Sequence, residues 1–226
     1  MSFWQILKRD FTEPLRQDPA CNGVFEIFFC YPGVWALINY RFAHFFYERG
    51  FKLIARAISG LSRIITAVDI NPGARIGSGV FFDHATGLVI GETAIIGDNC
   101  LIYQGVTLGG VSLEHGKRHP TLQNGVVVGA GAKVLGNITI GENSKIGANS
   151  VVVKDVEPNC TAVGVPARIL GSCSHEPLAH NKIPDISQEL IKYLIKRIEI
   201  LEECICSGRK DIAAMDEDLN KFYEEY

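Results

Sequence analysis

The sequence has no long uninterrupted apolar run, no excess of one charge and no paired-cysteine spacing. Its most apolar window, Val24 to Tyr40, is broken by Glu26 and Pro32 and followed by Arg41, His44, Glu48 and Arg49. A membrane-crossing helix needs about 20 consecutive apolar residues, so none is expected. The opening MSFWQILKRD carries charges and no small-residue cleavage site, so it does not read as a secretory signal. A net charge of −3 offers no polycationic surface to nucleic acid. The seven cysteines are odd in number and lack any CxxC pair, which predicts free thiols in a reducing, cytoplasmic setting. Cys204-x-Cys206 and Cys173-x-His175 do not complete a tetrahedral set, so no metal is expected.

What is there is a beat of six. Aliphatic residues, once Phe, recur at Ile70, Ile76 and Phe82, then at Ile90, Ile96, Ile102 and Leu108. They return at Leu122, Val128, Val134, Ile140, Ile146 and Val152. Gly follows many of them, as in Ile76-Gly77, Ile96-Gly97 and Val128-Gly129. This period marks a parallel β-helix, in which three hexads make one triangular coil and the aliphatic residues stack inward. The beats predict roughly four coils over residues 69–170.

Helical patterns flank the repeat. Residues 3–16 read as an amphipathic helix with Phe3, Ile6 and Leu7 on one side. Asp18-Pro19 reads as a helix start, with Asp as N-cap, and Pro32 as another, whose helix ends at Gly50. Residues 51–67 place Leu53, Ile54, Ala57, Ile58, Leu61, Ile64 and Ile65 at helical spacing. The expected organisation is α+β: a helical unit over 1–68, the β-helix over 69–170, and a linker with a C-terminal helix over 171–226. In that tail Asp185 would cap a helix whose Ile191, Leu194, Ile198, Leu201 and Ile205 form a short a/d seam.

Two interruptions of the repeat are the candidate functional places. Asp83-His84-Ala85-Thr86-Gly87 adds two residues to one coil, and Gly109 to Thr121 throws out a polar loop with His115, Lys117, Arg118 and His119. Asp69 lies fifteen residues upstream of His84, near one coil, so the two can share a face. A carboxylate that accepts from one imidazole nitrogen fixes the tautomer and leaves the other nitrogen free as a base. No cysteine lies in either interruption, which argues against an acyl-cysteine route.

The run Asp69-Ile70-Asn71-Pro72 through Asp83-His84-Ala85-Thr86-Gly87 and Gly91-Glu92-Thr93 resembles serine O-acetyltransferase. So do Val106-Thr107-Leu108-Gly109-Gly110, Arg118-His119-Pro120 and Gly164-Val165-Pro166-Ala167-Arg168. The resemblance covers about residues 18–170 and implies a left-handed β-helix, against the usual crossover hand. It also implies a homotrimer with sites in the grooves between subunits. The implied reaction moves the acetyl group of acetyl-CoA to the hydroxyl of L-serine, giving O-acetyl-L-serine, a cysteine precursor. His84 would be the general base, oriented by Asp69. Asp18 and Asp83 would hold the ammonium group, Arg118 and His119 the carboxylate, and Glu92 belongs to the same substrate set. A zwitterion needs anions at one end and a cation at the other, and these residues supply both.

For the coenzyme, Gly109, Gly110 and Ala130 would admit the pantetheine arm, and a backbone N–H at Gly109-Gly110 would face the oxyanion. Lys133, Lys145 and Arg168 would meet the phosphates. L-cysteine, differing from serine only at Oγ/Sγ, is the expected feedback inhibitor. The short helical region before Asp18 favours a trimer over a dimer of trimers. The tail ends Glu224-Glu225-Tyr226 rather than in Ile, so docking into O-acetylserine sulfhydrylase is not expected. The rival readings are a hexapeptide acetyltransferase for a sugar or antibiotic, a γ-type carbonic anhydrase using His84, His115 and His119, and a non-catalytic trimeric scaffold.

Overall fold

The computed structural model describes residues 2–170, 191 and 193–198. The chain falls into two compact units, residues 1–178 and 179–226. In the second unit the described residues, 191 and 193–198, are helical, and Ile191, Leu194 and Ile198 are about half exposed. Asp185, Leu201 and Ile205 lie outside the described residues.

The first unit opens with α1 (Phe3–Gln17), α2 (Val24–Cys30), α3 (Pro32–Glu48) and α4 (Lys52–Thr66). Ser2 and Gln5 cap α1 reciprocally, each side chain taking the other's backbone N–H. Pro32 stands in the first turn of α3, where the missing N–H costs nothing, and Gly50 leaves it at φ +84°. Asp18 does not start a helix. It is the C-cap of α1, its N–H donating to Pro14 O at 2.9 Å, and α2 begins only after Gly23. The Asp18 side chain instead accepts from the N–H of Ala20 at 2.8 Å, closing a local turn that competes with helix initiation.

Two helical faces differ from expectation. On α1 the buried side chains are Asp10, Glu13 and Pro14, not the apolar ones. On α4 the buried positions are Ala55, Ser59, Ser62 and Thr66, and Ser59 Oγ donates to Ile70 O. Small residues let α4 lie close against the first coil. Its apolar stripe therefore points away: Leu53 is 84% exposed and Ile64 81%.

Arg41 on α3 ties the helices to the coils. Its Nε donates to Asp10 Oδ2 at 2.9 Å, while Nη1 and Nη2 donate to the carbonyls of Ile76 and Gly77.

Residues 69–170 form the parallel β-helix. Its short strands run from β1 (Asp69–Ile70) to β15 (Ala167–Leu170) and stack into three sheets. The repeat positions stack in register: Ile70, Ile90, Leu108, Val134 and Val152 on one sheet. Ile76, Ile96, Leu122 and Ile140 stack on the second, and Phe82, Ile102, Val128 and Ile146 on the third. Most are almost fully shielded from water, each worth about 1.5–3 kcal/mol of burial.

The coils number about five, not four. The last coil is built on Val156 and Ala162, which pair with Ile140 and Ile146. Its spacing shortens to four residues and one beat is Ala, so the six-residue period hides it. β15 then folds back antiparallel on β14 (Thr161–Gly164).

Where glycine follows a beat, it is needed because the next coil is close. A Cβ at Gly129 would stand 2.7 Å from Ala148 N. Positive φ at the corners is carried partly by Asn99, Asn143, Asn149 and Asn159, the residue after glycine best suited to that region. Cys21, Cys30 and Cys100 are free thiols, but Cys160 is disulfide-bonded, a correction to the expectation of free thiols throughout. Among the described residues no helix is long and apolar enough to cross a membrane.

Candidate functional site

The first interruption forms a bend after β3 (Phe81–Asp83). His84 and Ala85 both adopt positive φ, 57° and 54°, where a side chain with a Cβ is uncommon. The bend leaves the His84 side chain 74% exposed, with Nε2 3.9 Å from Asp83 Oδ1. The bend also runs beside β1: Gly87 N–H donates to Ala67 O, and Asp69 N–H to Leu88 O. Asp69 thus flanks the bend, as its spacing suggests. Its carboxylate, however, accepts from Arg63 of α4 at 3.1 Å, and no hydrogen bond joins it to His84. Arg63, Ala67, Asp69, Gly87, Leu88 and Val89 line an open hollow of about 320 Å³.

Asp18 and Asp83 come together with His84. Asp18 accepts from Tyr31 Oη at 2.5 Å and from the Ala20 N–H, and these two bonds hold its carboxyl below the usual range. Burial pushes the Asp83 carboxyl up; the neighbouring His84 works against that and Asp18 adds to it. Two adjacent carboxyls in unlike environments titrate apart. No Lys or Arg among the described residues is bonded to either one.

The second interruption folds its polar end back onto the Gly91–Thr93 turn. His119 is buried, and its Nδ1 accepts from the Thr93 N–H at 3.2 Å. The Thr93 hydroxyl accepts from the N–H groups of Arg118 and His119, and so donates to Nδ1 at 2.9 Å. This network assigns the tautomer, with the proton on Nε2. Burial, then Arg118 and Lys117, lowers the His119 pKa and keeps the ring neutral. Lys117 Nζ donates to the carbonyls of Thr93, His119 and Pro120, stapling the loop, and burial lowers its pKa. Arg118 Nη2 donates to Glu92 Oε2 at 2.7 Å, and Glu92 accepts from Tyr47 Oη. Gly91 makes this packing possible: a Cβ there would lie 1.9 Å from His119 Cδ2.

The other assigned residues are spread along the coils. Gly109 ends β7 (Thr107–Gly109) and Gly110 packs against Arg118 and His119. Lys133 opens a strand of the first sheet and donates to Gly105 O, and Ala130 lies in the turn before it. Lys145 opens a strand of the third sheet, and Arg168 is exposed on β15. His115 sits exposed at the loop's outer end. Among the described residues no three His, Cys, Asp or Glu side chains converge as a metal site.

Sequence reasoning gave no role to Tyr31, Thr93, Lys117 or Tyr103. Tyr103 pairs with Asp83 in register, one enlarged coil further on, so its spacing carried the signal. Tyr31 had none, because its partner Asp18 lies across α2.

A family model described as bacterial transferase hexapeptide (six repeats) matches residues 119–154. A serine acetyltransferase of Synechococcus elongatus is 53% identical over 202 residues, covering 88% of this chain and 83% of the relative. One of Mycobacterium tuberculosis is 49% identical, covering 87% and 86%. The solved structure of Neisseria gonorrhoeae serine acetyltransferase in complex with serine aligns with a TM-score of 0.71 at 44% identity, covering 74% of this chain and 69% of that one. Brucella abortus serine acetyltransferase in complex with coenzyme A aligns at 0.72 and 47%, covering 74% and 67%. A serine acetyltransferase complex with cysteine aligns at 0.72 and 43%, covering 74% and 69%.

Proposed function

The chain belongs to the serine acetyltransferase family of acyltransferases, and from that footing we propose that it transfers the acetyl group of acetyl-CoA to the L-serine hydroxyl by direct transfer in a ternary complex. The products are O-acetyl-L-serine and coenzyme A, in the cytoplasm, as an entry to cysteine synthesis. The observation that carries this reading is the pairing of an exposed His84 with the Asp18–Asp83 carboxyls on a chain 53% identical to a serine acetyltransferase.

His84 takes the hydroxyl proton as oxygen attacks the thioester carbon. The tetrahedral intermediate collapses with loss of the coenzyme thiolate, which takes the proton held by His84 and so restores the base. Asp69, whose carboxylate is held by Arg63, would leave that guanidinium to orient the imidazole. Asp18 and Asp83 receive the ammonium group. Arg118 and the Nε2–H of His119 receive the carboxylate, with Glu92 holding the guanidinium in place. A positioned base contributes about 10²–10⁴-fold, and holding both substrates supplies much of the rest.

Gly109, Gly110 and Ala130 would border the pantetheine arm, and Lys133, Lys145 and Arg168 the phosphates. L-cysteine, found bound to a relative, would occupy the serine site as an inhibitor. The exposed apolar stripe of α4 supports a homotrimer, which would shield Leu53 and Ile64.

The test is thiol release from acetyl-CoA with a panel of acceptors. Serine-dependent release, absent with sugars and aminoglycosides, is the expected result; release with a sugar and none with serine would move the reaction to the rival acceptor class.

A further inference from the structure

We propose that Tyr31 is a positioning residue that fixes the Asp18 carboxylate to receive the acceptor's ammonium group. The inference rests on the assignment of Asp18 to the serine site. Three features of the structure carry it.

The first is how the Tyr31 ring is held. It packs on an apolar patch outside the third sheet, formed by Phe81, Leu101 and Val127 and shared with Tyr103. The backbone is held as well: Tyr31 precedes Pro32, which disfavours helical geometry, and it sits at φ −111°, ψ 83°. A ring seated on the outer face of the coils carries its hydroxyl to a fixed point.

The second is where that hydroxyl goes. It donates to Asp18 Oδ2 at 2.5 Å, while Oδ1 takes the Ala20 N–H at 2.8 Å. Each carboxylate oxygen thus has one fixed donor and keeps free acceptor capacity. Burial, then Asp18 itself, raises the Tyr31 pKa, so the phenol remains a donor.

The third is that the charge serves no helix. Asp18 caps the C-terminus of α1, where an anion opposes the helix dipole. Asp83 stands nearby and raises the demand for a cation, yet no described Lys or Arg is bonded to either. An alkylammonium group meets that demand, and the Tyr31 bond orients the oxygen it meets.

Tyr31→Phe keeps the ring and its packing and removes only the hydroxyl. The inference expects the KM for L-serine to rise about tenfold, with kcat, the KM for acetyl-CoA and the melting temperature changed little. In an Asp18→Asn background, Tyr31→Phe should add no further rise. An unchanged serine KM, or a full further rise in that background, would overturn the inference alone. Absence of serine-dependent turnover in the unsubstituted enzyme would overturn the acceptor reading and this inference with it.

Discussion

The Nδ1 of His119 is held by Thr93 twice, by its backbone N–H at 3.2 Å and by its hydroxyl at 2.9 Å. One threonine therefore sets the tautomer of a buried imidazole and also receives the N–H groups of Arg118 and His119. The end of an otherwise exposed loop is fixed to the coil below by this group of bonds.

Thr93→Val removes the hydroxyl and leaves the shape. The part-buried N–H groups of Arg118 and His119 then lose their acceptor, at about 1–3 kcal/mol at most. We expect kcat/KM for serine to fall about tenfold or more, with the far-UV spectrum unchanged. Steady-state kinetics at varied serine concentration checks this.

Gly91→Ala should be worse. The added methyl would stand 1.9 Å from His119 Cδ2 and 2.1 Å from its Nε2, so the ring must leave its pocket. Overpacking of this kind costs about 1–3 kcal/mol. Denaturant unfolding should show that loss, together with a larger fall in activity than Thr93→Val.

Arg41→Met should destabilise the chain by about 3–5 kcal/mol, because Asp10, 1% exposed, is left with a buried and unpaired carboxyl. Burial already raises the Asp10 pKa against the pull of Arg41. The double substitution Asp10→Asn with Arg41→Met should recover part of the loss, read as the urea midpoint.

The lowered pKa of His119 makes stability depend on pH. Below the ordinary value of 6.5 the unfolded chain takes up a proton that the folded ring resists. Stability from this site is therefore complete above that value and declines as pH falls. Melting temperatures followed from about pH 8 to about pH 5 should fall less steeply in His119→Asn than in the unsubstituted protein.

The β-helix was legible because its core has one residue type at one period, and the register of Ile70, Ile90, Leu108 and Val134 follows that beat. Where the beat shortened, at Val156 and Ala162, a coil was lost from the reading. The apolar stripe of α4 was legible too, but its direction was not. Periodicity says which residues share a face, and only the bond of Ser59 to Ile70 O and that of Ser62 with Asn39 of α3 say which face turns inward. Asp18 carries the signature of an N-cap and acts otherwise, since the same side chain closes a turn with Ala20. His84, Asp83 and Arg118 showed themselves by interrupting the repeat. Tyr31 and Thr93 act through other residues, and nothing in their spacing announces that.

The central claim is that His84 is the base. The direct test is thiol release from acetyl-CoA with saturating L-serine, comparing the unsubstituted enzyme with His84→Asn. The account predicts a fall in kcat of about 10²–10⁴-fold, with the KM for acetyl-CoA nearly unchanged. A variant that retains kcat within about threefold would contradict it, because a base worth so little is not the one the reaction uses.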